Sequence, residues 1–251
     1  MSLEPERFAA KRRQNIANLG ADNELKSYSR AWQIEAAKHN YVYNFTWLGR
    51  PIIQLPQDVF AMQELIWSIQ PDLIIETGIA HGGSLIFSAS MLELNALCGG
   101  PEDGEVLGID VDIRSHNRDA IEAHPLFKRI SMLQGSSIET EIIQQVRAKA
   151  AGRKRVLVCL DSNHTHDHVL AELRAYGALI SAGSYCVVFD TAIEEVPQEI
   201  SAGRPWGPGN NPQTAVREFL RTTDRFEIDD EIPSKLLITV APDGYLKCIK
   251  D

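Results

Sequence analysis

From Asp72 onward, short unbroken apolar runs alternate with amphipathic stretches. A run that is apolar at every position reads as a parallel strand covered on both faces. The pattern predicts strands over 72–79, 105–111, 130–134, 155–160 and 184–189. Helices fill the gaps. Residues 84–97 carry Leu85, Ala89, Met91 and Leu92 on a broad apolar stripe, and Val169, Leu173, Tyr176 and Ile180 recur at helical spacing. Such alternation predicts an α/β fold with an open, mostly parallel sheet and right-handed crossovers. Further on, 203–212 is rich in Gly, Pro and Asn and reads as a loop, after which Asn211-Pro212 offers a helix N-cap and first-turn proline. Segments 226–232, 236–240 and 245–249 are strand-like, with a Pro-Asp-Gly turn at 242–244 joining the last two. The expected sheet has seven strands, helices on both faces and a hairpin at its end.

The beginning of the chain has a different pattern. Residues 5–19 and 24–39 are amphipathic and helical, 41–47 is aromatic-rich, and a helix starting at Asp58 places Val59, Met62, Ile66 and Ile69 on one face before Pro71 stops it. The reading is an N-terminal helical segment, 1–50, that serves as lid or oligomerisation element, followed by one Rossmann-like domain, 51–251. Its unpartnered apolar faces predict a homo-oligomer.

Composition narrows the class. The 251 residues fit one large domain, and 44% hydrophobic with 24% charged residues is ordinary for a globular chain. A net charge of −9 without a basic run disfavours nucleic acid as a partner. The four cysteines form no C-x-x-C pair, the first residues are polar, and no apolar stretch reaches the ~18 residues a membrane span needs. A cytoplasmic setting without membrane contact is expected.

The most informative stretch is Ile74-Ile75-Glu76-Thr77-Gly78-Ile79-Ala80-His81-Gly82-Gly83-Ser84, a buried strand running through a glycine-rich turn into a helix. Glycines let backbone N–H groups approach a ligand, and the helix start adds partial positive charge. Turns of this type hold a dinucleotide pyrophosphate or the amino-acid end of S-adenosylmethionine. Glu76 favours the latter, because a carboxylate there attracts an ammonium or sulfonium and repels pyrophosphate. Ala80 also replaces the second glycine of a dinucleotide fingerprint. Glu76, Gly78, Gly82, Gly83 and Ser84 are therefore candidate cofactor residues. Asp110, at the end of the second strand, is placed to grip a ribose diol, with Asp112 in reserve. Ser137, in the turn Gly135-Ser136-Ser137, is a candidate adenine contact or a helix N-cap.

Two further apolar runs stop at aspartates, Asp161 and Asp190. If their strands are neighbours, ~4.8 Å apart, both carboxylates face one crevice at the sheet's carboxyl edge. Close carboxylates need a shared proton or a cation, and oxygen ligands suit Mg²⁺ or Ca²⁺. His164, three residues after Asp161, is a candidate general base. His166 and His168 read as a polar helix start. Trp47 and Trp206 are candidate walls of an acceptor pocket or plain packing residues.

Together these blocks resemble the cephalosporin hydroxylase family, also linked to rhamnosyl O-methyltransferases. Thr46–Pro51, IIETGIAHGGS, LGIDVDIR, LDSNHTHDHVLAEL and VVFDT carry the resemblance, over about residues 41–191. It implies a Rossmann-like class I methyltransferase with S-adenosylmethionine and a weakly held Mg²⁺, and Asp161 and Asp190 as metal ligands, with Asp161 also catalytic. It further implies a third ligand beside Asp190, where Thr191 stands; Glu194, Glu195 or water is the expected substitute. The expected activity is O-methylation of a small-molecule hydroxyl on a sugar or natural-product intermediate. A nicotinamide-dependent oxidoreductase, a hydroxylase-associated component and a non-catalytic nucleoside-binding subunit are the alternatives.

Overall fold

In the computed structural model, which describes residues 4–250, the apolar runs form strands somewhat shorter than the runs themselves. The polar start at Met1–Leu3 and the final Asp251 lie outside the described residues. Helices α1 (Glu4–Ala21) and α2 (Asn23–Lys38) come first, with the Asp22 side chain accepting from Leu25 N at 2.9 Å to cap α2. A short hairpin follows, β1 (Phe45–Trp47) with β2 (Arg50–Ile52), and then α3 (Pro56–Ile69). Helix α3 begins on proline, ends before Pro71, and buries Met62, Ile66 and Ile69 as the pattern predicts.

The main sheet takes up β3 (Leu73–Thr77), β4 (Glu105–Asp110), β5 (Ile130–Gln134), β6 (Val156–Leu160), β7 (Tyr185–Val188), β8 (Phe226–Ile228) and β9 (Tyr245–Cys248). Their order is β5-β4-β3-β6-β7-β9-β8, parallel except for β9, which runs antiparallel to both its neighbours. Side chains alternate between two cores: Ile74 packs on one face with α3 and α4 (Gly83–Leu97), while Leu73 and Ile75 pack on the other with α6 (Thr140–Ala150), α7 (His166–Tyr176) and α8 (Pro212–Leu220). Helix α5 (Ser115–Glu122) links β4 to β5. Strand direction of progress reverses at β3, with β4 on one side and β6 on the other, and ligands bind at such switch points. This is the seven-stranded Rossmann-like α/β fold expected. Among the described residues no helix is long and apolar enough to cross a membrane.

The C-terminal region corrects the sequence pattern. Residues 226–232 are not one strand: β8 ends at Ile228, and α9 (Glu231–Leu236) follows. Residues 237–240 pair with no strand. Asp58 on α3 holds them instead, accepting from Val240 N at 2.9 Å and from the Thr239 hydroxyl. The turn at 242–244 exists, with Gly244 N donating to Ala241 O at 3.1 Å, but it feeds β9 into the slot between β7 and β8 and does not close a hairpin.

Candidate active site

Strands β3, β6 and β7 deliver their carboxyl ends to one cleft of about 310 Å³. Gly78, Ala80, Gly83 and Ser84 of the turn line it together with Asp161, His164 and Asp190. The glycine-rich turn is tightly built. Gly78 has φ +91, and a Cβ there would sit 2.1 Å from the Asp161 carbonyl oxygen. A Cβ on Gly83 would sit 2.1 Å from the Pro51 carbonyl oxygen, and Gly82, with φ 81, precedes the first turn of α4. Ala80, where a dinucleotide fingerprint has glycine, is also left-handed, with φ 45.

Glu76 is buried beneath this turn and accepts a hydrogen bond from the Ser84 hydroxyl. Burial pushes its carboxyl up to about 7, against the lowering effect of that hydrogen bond. Asp110 also lies at the cleft, but its carboxylate is partly committed: Oδ2 accepts from Ile79 N at 2.8 Å and Ala80 N at 3.3 Å, and Oδ1 accepts from Asp112 N at 3.0 Å. Oδ2 is thereby filled, while Oδ1 keeps capacity to accept from one further donor such as a diol hydroxyl. Ser137 is placed elsewhere. Its buried hydroxyl donates to Glu172 at 2.6 Å, so it lines no part of the cleft, and the N-cap of α6 is Glu139, not a serine of the 135–137 turn.

The His-x-His-x-His run divides three ways. His166 joins α7 to α8 through Thr214 at 2.8 Å and Glu218 at 3.2 Å. His168 belongs to a buried group with Ser137, Ser162 and Glu172. His164 alone enters the cleft, its Nε2 3.2 Å from Asp190 Oδ2 and its ring edge-on to Trp206 at 4.8 Å. Asp190 is itself left-handed, with φ 58, a conformation that turns its side chain off the end of β7. Asp161, His164 and Asp190 each offer a ligand atom, all within 4.8 Å of one another. Asp161 is held well above the usual carboxylate range, first by loss of water and then by Asp190 and Glu76.

The third ligand beside Asp190 is not supplied as expected. Thr191 is buried with its hydroxyl oxygen unpartnered, Glu194 accepts from Gly209 N at 2.7 Å and from the Asn211 amide, and Glu195 pairs with Arg30 at 3.2 Å. The third group beside Asp161 and Asp190 in the cluster is His164. Trp47 is a packing residue, edge-on to Phe87 at 4.9 Å and donating to Ser90 at 3.0 Å.

Three residues of the site had no assigned role in the sequence. Arg50 donates from Nε to the His81 carbonyl at 3.0 Å and from Nη2 to Asn117 at 3.1 Å, while Asn117 donates to the Ala80 carbonyl at 2.9 Å. This pair fixes the turn from outside. Gln54 lines the cleft at 8% exposure, and its Oε1 has no partner. An orphaned buried acceptor in a cleft is a place for a ligand donor. Only the short hairpin β1–β2 brings Arg50 and Gln54 here, and nothing in their local sequence announces it.

A switch-point cleft under a glycine-rich turn, with an acid at each of three strand ends, defines a nucleotide-type methyltransferase site on a Rossmann-like sheet. The family model described as Rhamnosyl O-methyltransferase/CmcI matches residues 39–249. The chain belongs to that family, as its sequence blocks led us to expect, and it is a methyltransferase. A rhamnosyl O-methyltransferase of Mycobacterium bovis (strain BCG / Pasteur 1173P2) is 31% identical over 204 residues, 80% of this chain and 77% of that protein. Among solved structures, CmcI with Mg and SAM shares 20% identity at a TM-score of 0.52, covering 82% of this chain and 77% of that one. An O-methyltransferase from Bacillus cereus in complex with SAH shares 17% at 0.56, covering 91% and 92%. At these identities the structural likeness bears on the fold.

Proposed function

We propose that this methyltransferase moves a methyl group from S-adenosylmethionine to a hydroxyl oxygen of a small molecule, with Asp161, His164 and Asp190 holding the acceptor end. One observation carries the reading: the glycine-rich turn and this trio line one and the same cleft. The fit to the donor rests on the chain itself. Gly78 and Gly83 let the turn pack directly on the backbone of Asp161 and Pro51, Gln54 holds an unpartnered acceptor in the cleft, and Glu76 beneath the turn is the acid assigned to an ammonium group. S-adenosylmethionine supplies a methyl carbon on a cationic sulfur; the acceptor O–C bond forms as the S–C bond breaks, leaving its pair on sulfur. With Nε2–H held by Asp190 Oδ2 at 3.2 Å, His164 keeps Nδ1 as the nitrogen that takes the hydroxyl proton. Residues that align oxygen and methyl carbon contribute most of the rate in such an in-line displacement.

A divalent cation fits the same trio. Ligand atoms on opposite sides of Mg²⁺ lie about 4.2 Å apart at its usual bond lengths, so a 4.8 Å cluster needs only small rotations. Two carboxylates suit Mg²⁺ or Mn²⁺, and the imidazole moves the preference toward Mn²⁺. The cation would polarise the acceptor hydroxyl and lower its pKa. His164 serves as ligand or as base, and not as both at once.

Residues 1–50 act in this reading as cover and assembly element over a catalytic unit of 51–251, in a homo-oligomer of the cytoplasm. The buried thiols of Cys159 and Cys186 support a reducing setting. Calorimetry with S-adenosylhomocysteine and NAD tests the donor class. A 1:1 complex with the former and none with the latter is expected; the reverse would return the chain to the oxidoreductase reading.

A further inference from the structure

Beside Asp190 a second cavity, of about 240 Å³, opens from the cleft between α2 and the segment after β7. It shares Val42, Tyr43, Asp190 and Val240 with the cleft, so the two adjoin at the reacting end. Its walls are Trp32 and Ala36 on α2, Tyr41, Leu55, Ile193 and Val196. Of the polar side chains along it, Gln33 is already engaged, donating to the Thr239 carbonyl at 3.0 Å. Arg30 pairs with Glu195 at 3.2 Å and ties α2 to that segment.

We infer that this cavity is the acceptor subsite, and that the acceptor is a phenol or alcohol carried on an aromatic or alkyl body, not a bare sugar. The inference rests on the methyltransferase reading above. A sugar ring placed here would lose water from every hydroxyl and find few partners, a cost an apolar ring does not meet. Drug-sized pockets run about 300–1,000 Å³, so 240 Å³ takes one ring system or a short alkyl chain, with its hydroxyl directed to Asp190 and His164. Trp32 and Ala36 precede the family match, which begins at residue 39. The shared family region thus brings the reacting groups, and this chain's own α2 brings the wall that chooses the body.

The test titrates 2-naphthol, 4-butylphenol and methyl α-L-rhamnoside into the full chain saturated with S-adenosylhomocysteine. Both phenols are expected to bind at least about ten-fold more tightly than the rhamnoside. Ala36→Trp fills the cavity and Val196→Asp places a charge in it; each is expected to weaken phenol binding about ten-fold or more and leave S-adenosylhomocysteine affinity unchanged. The second variant guards against misfolding of the first, and retained S-adenosylhomocysteine binding reports the fold of both. Equal or tighter rhamnoside binding overturns the inference, as does phenol binding indifferent to both variants. Self-association that Ala36→Trp abolishes would seat a second copy in the cavity and also overturn it. Failure of the wild type to bind S-adenosylhomocysteine would instead remove the methyltransferase reading beneath it.

Discussion

At the scale of single residues, the cleft is a problem of crowded acids. Asp161 feels Asp190 and Glu76 besides its own loss of water, Asp110 is held by backbone N–H groups of the turn, and each acid is relieved differently. Glu76 is relieved by a proton: its folded pKa is about 7 against an ordinary 4.5. Between those values the folded chain keeps a proton that the unfolded chain has released, so stability falls as pH rises through the window. A cationic ligand reverses the preference. S-adenosylhomocysteine affinity is therefore expected to rise between about pH 6 and about pH 8, with a proton released on binding at the lower pH. Calorimetry in buffers of different ionisation heat measures that release, and Glu76→Gln is expected to abolish it; a flat wild-type profile would take Glu76 out of the ligand's reach. Asp161 and Asp190 are relieved by a cation in the reading above. Asp161→Asn and Asp190→Asn are each expected to weaken Mn²⁺ binding, followed by electron paramagnetic resonance, by about ten-fold or more. S-adenosylhomocysteine affinity is expected to stay near wild type in both. These acids were legible in the sequence because each ends an unbroken apolar run, and a run's end fixes which edge of the sheet its acid reaches. Gln54 was not legible, since its burial depends on where the β1–β2 hairpin packs, whereas the separation of His164 from the helix-start residues His166 and His168 was.

At the scale of elements, the same contrast between local and distant causes holds. Strands β3 to β7 and helices α3, α4, α7 and α8 follow from hydrophobic period, caps and prolines, all within a few residues of one another. The 237–240 segment does not, because its partner is Asp58, about 180 positions away. Asp58 is buried, accepts from Thr239, from Val240 N and from the Tyr245 hydroxyl at 2.9 Å, and is pushed up to about 6 by burial. Removing it leaves three donors without a partner. Asp58→Ala is expected to cost about 3 kcal/mol, with chemical denaturation as the measure. A loss below about 1 kcal/mol would show that Asp58 does not hold this segment. Gly78 is the other long-range joint, where β3 passes against the backbone that follows β6. Gly78→Ala combines an unfavourable φ with a Cβ clash on the Asp161 carbonyl. It is expected to lower stability by about 3 kcal/mol and to abolish S-adenosylhomocysteine binding, since the turn and Asp161 move together.

At the scale of the whole molecule, α1 and α2 present two faces with different fates. One is buried: Ile16 packs inward, Gly20 lies against Ser234 of α9, and Glu64 of α3 takes both Lys235 and, at 3.7 Å, Arg12. The other leaves Phe8 at 72% and Tyr28 at 62% exposure, while α2 also walls the cavity beside Asp190. Amphipathic period predicted that these helices need cover, yet period alone does not say which apolar positions the chain covers itself. Only the packed structure separates Ile16 from Phe8. Large aromatics left on a helix face adjoining the site mark an interaction surface, and a second copy of this chain is the partner always present at matching concentration. The full chain is accordingly expected to sediment as an oligomer. Phe8→Glu with Tyr28→Glu is expected to shift it toward monomer, because like charges then face each other across a self-complementary contact. Neither side chain lines the acceptor cavity or the cofactor cleft, so S-adenosylhomocysteine affinity should survive the change. A wild-type monomer at about 100 µM, far above the Kd of a stable assembly, would assign α1 and α2 to covering the acceptor cavity alone.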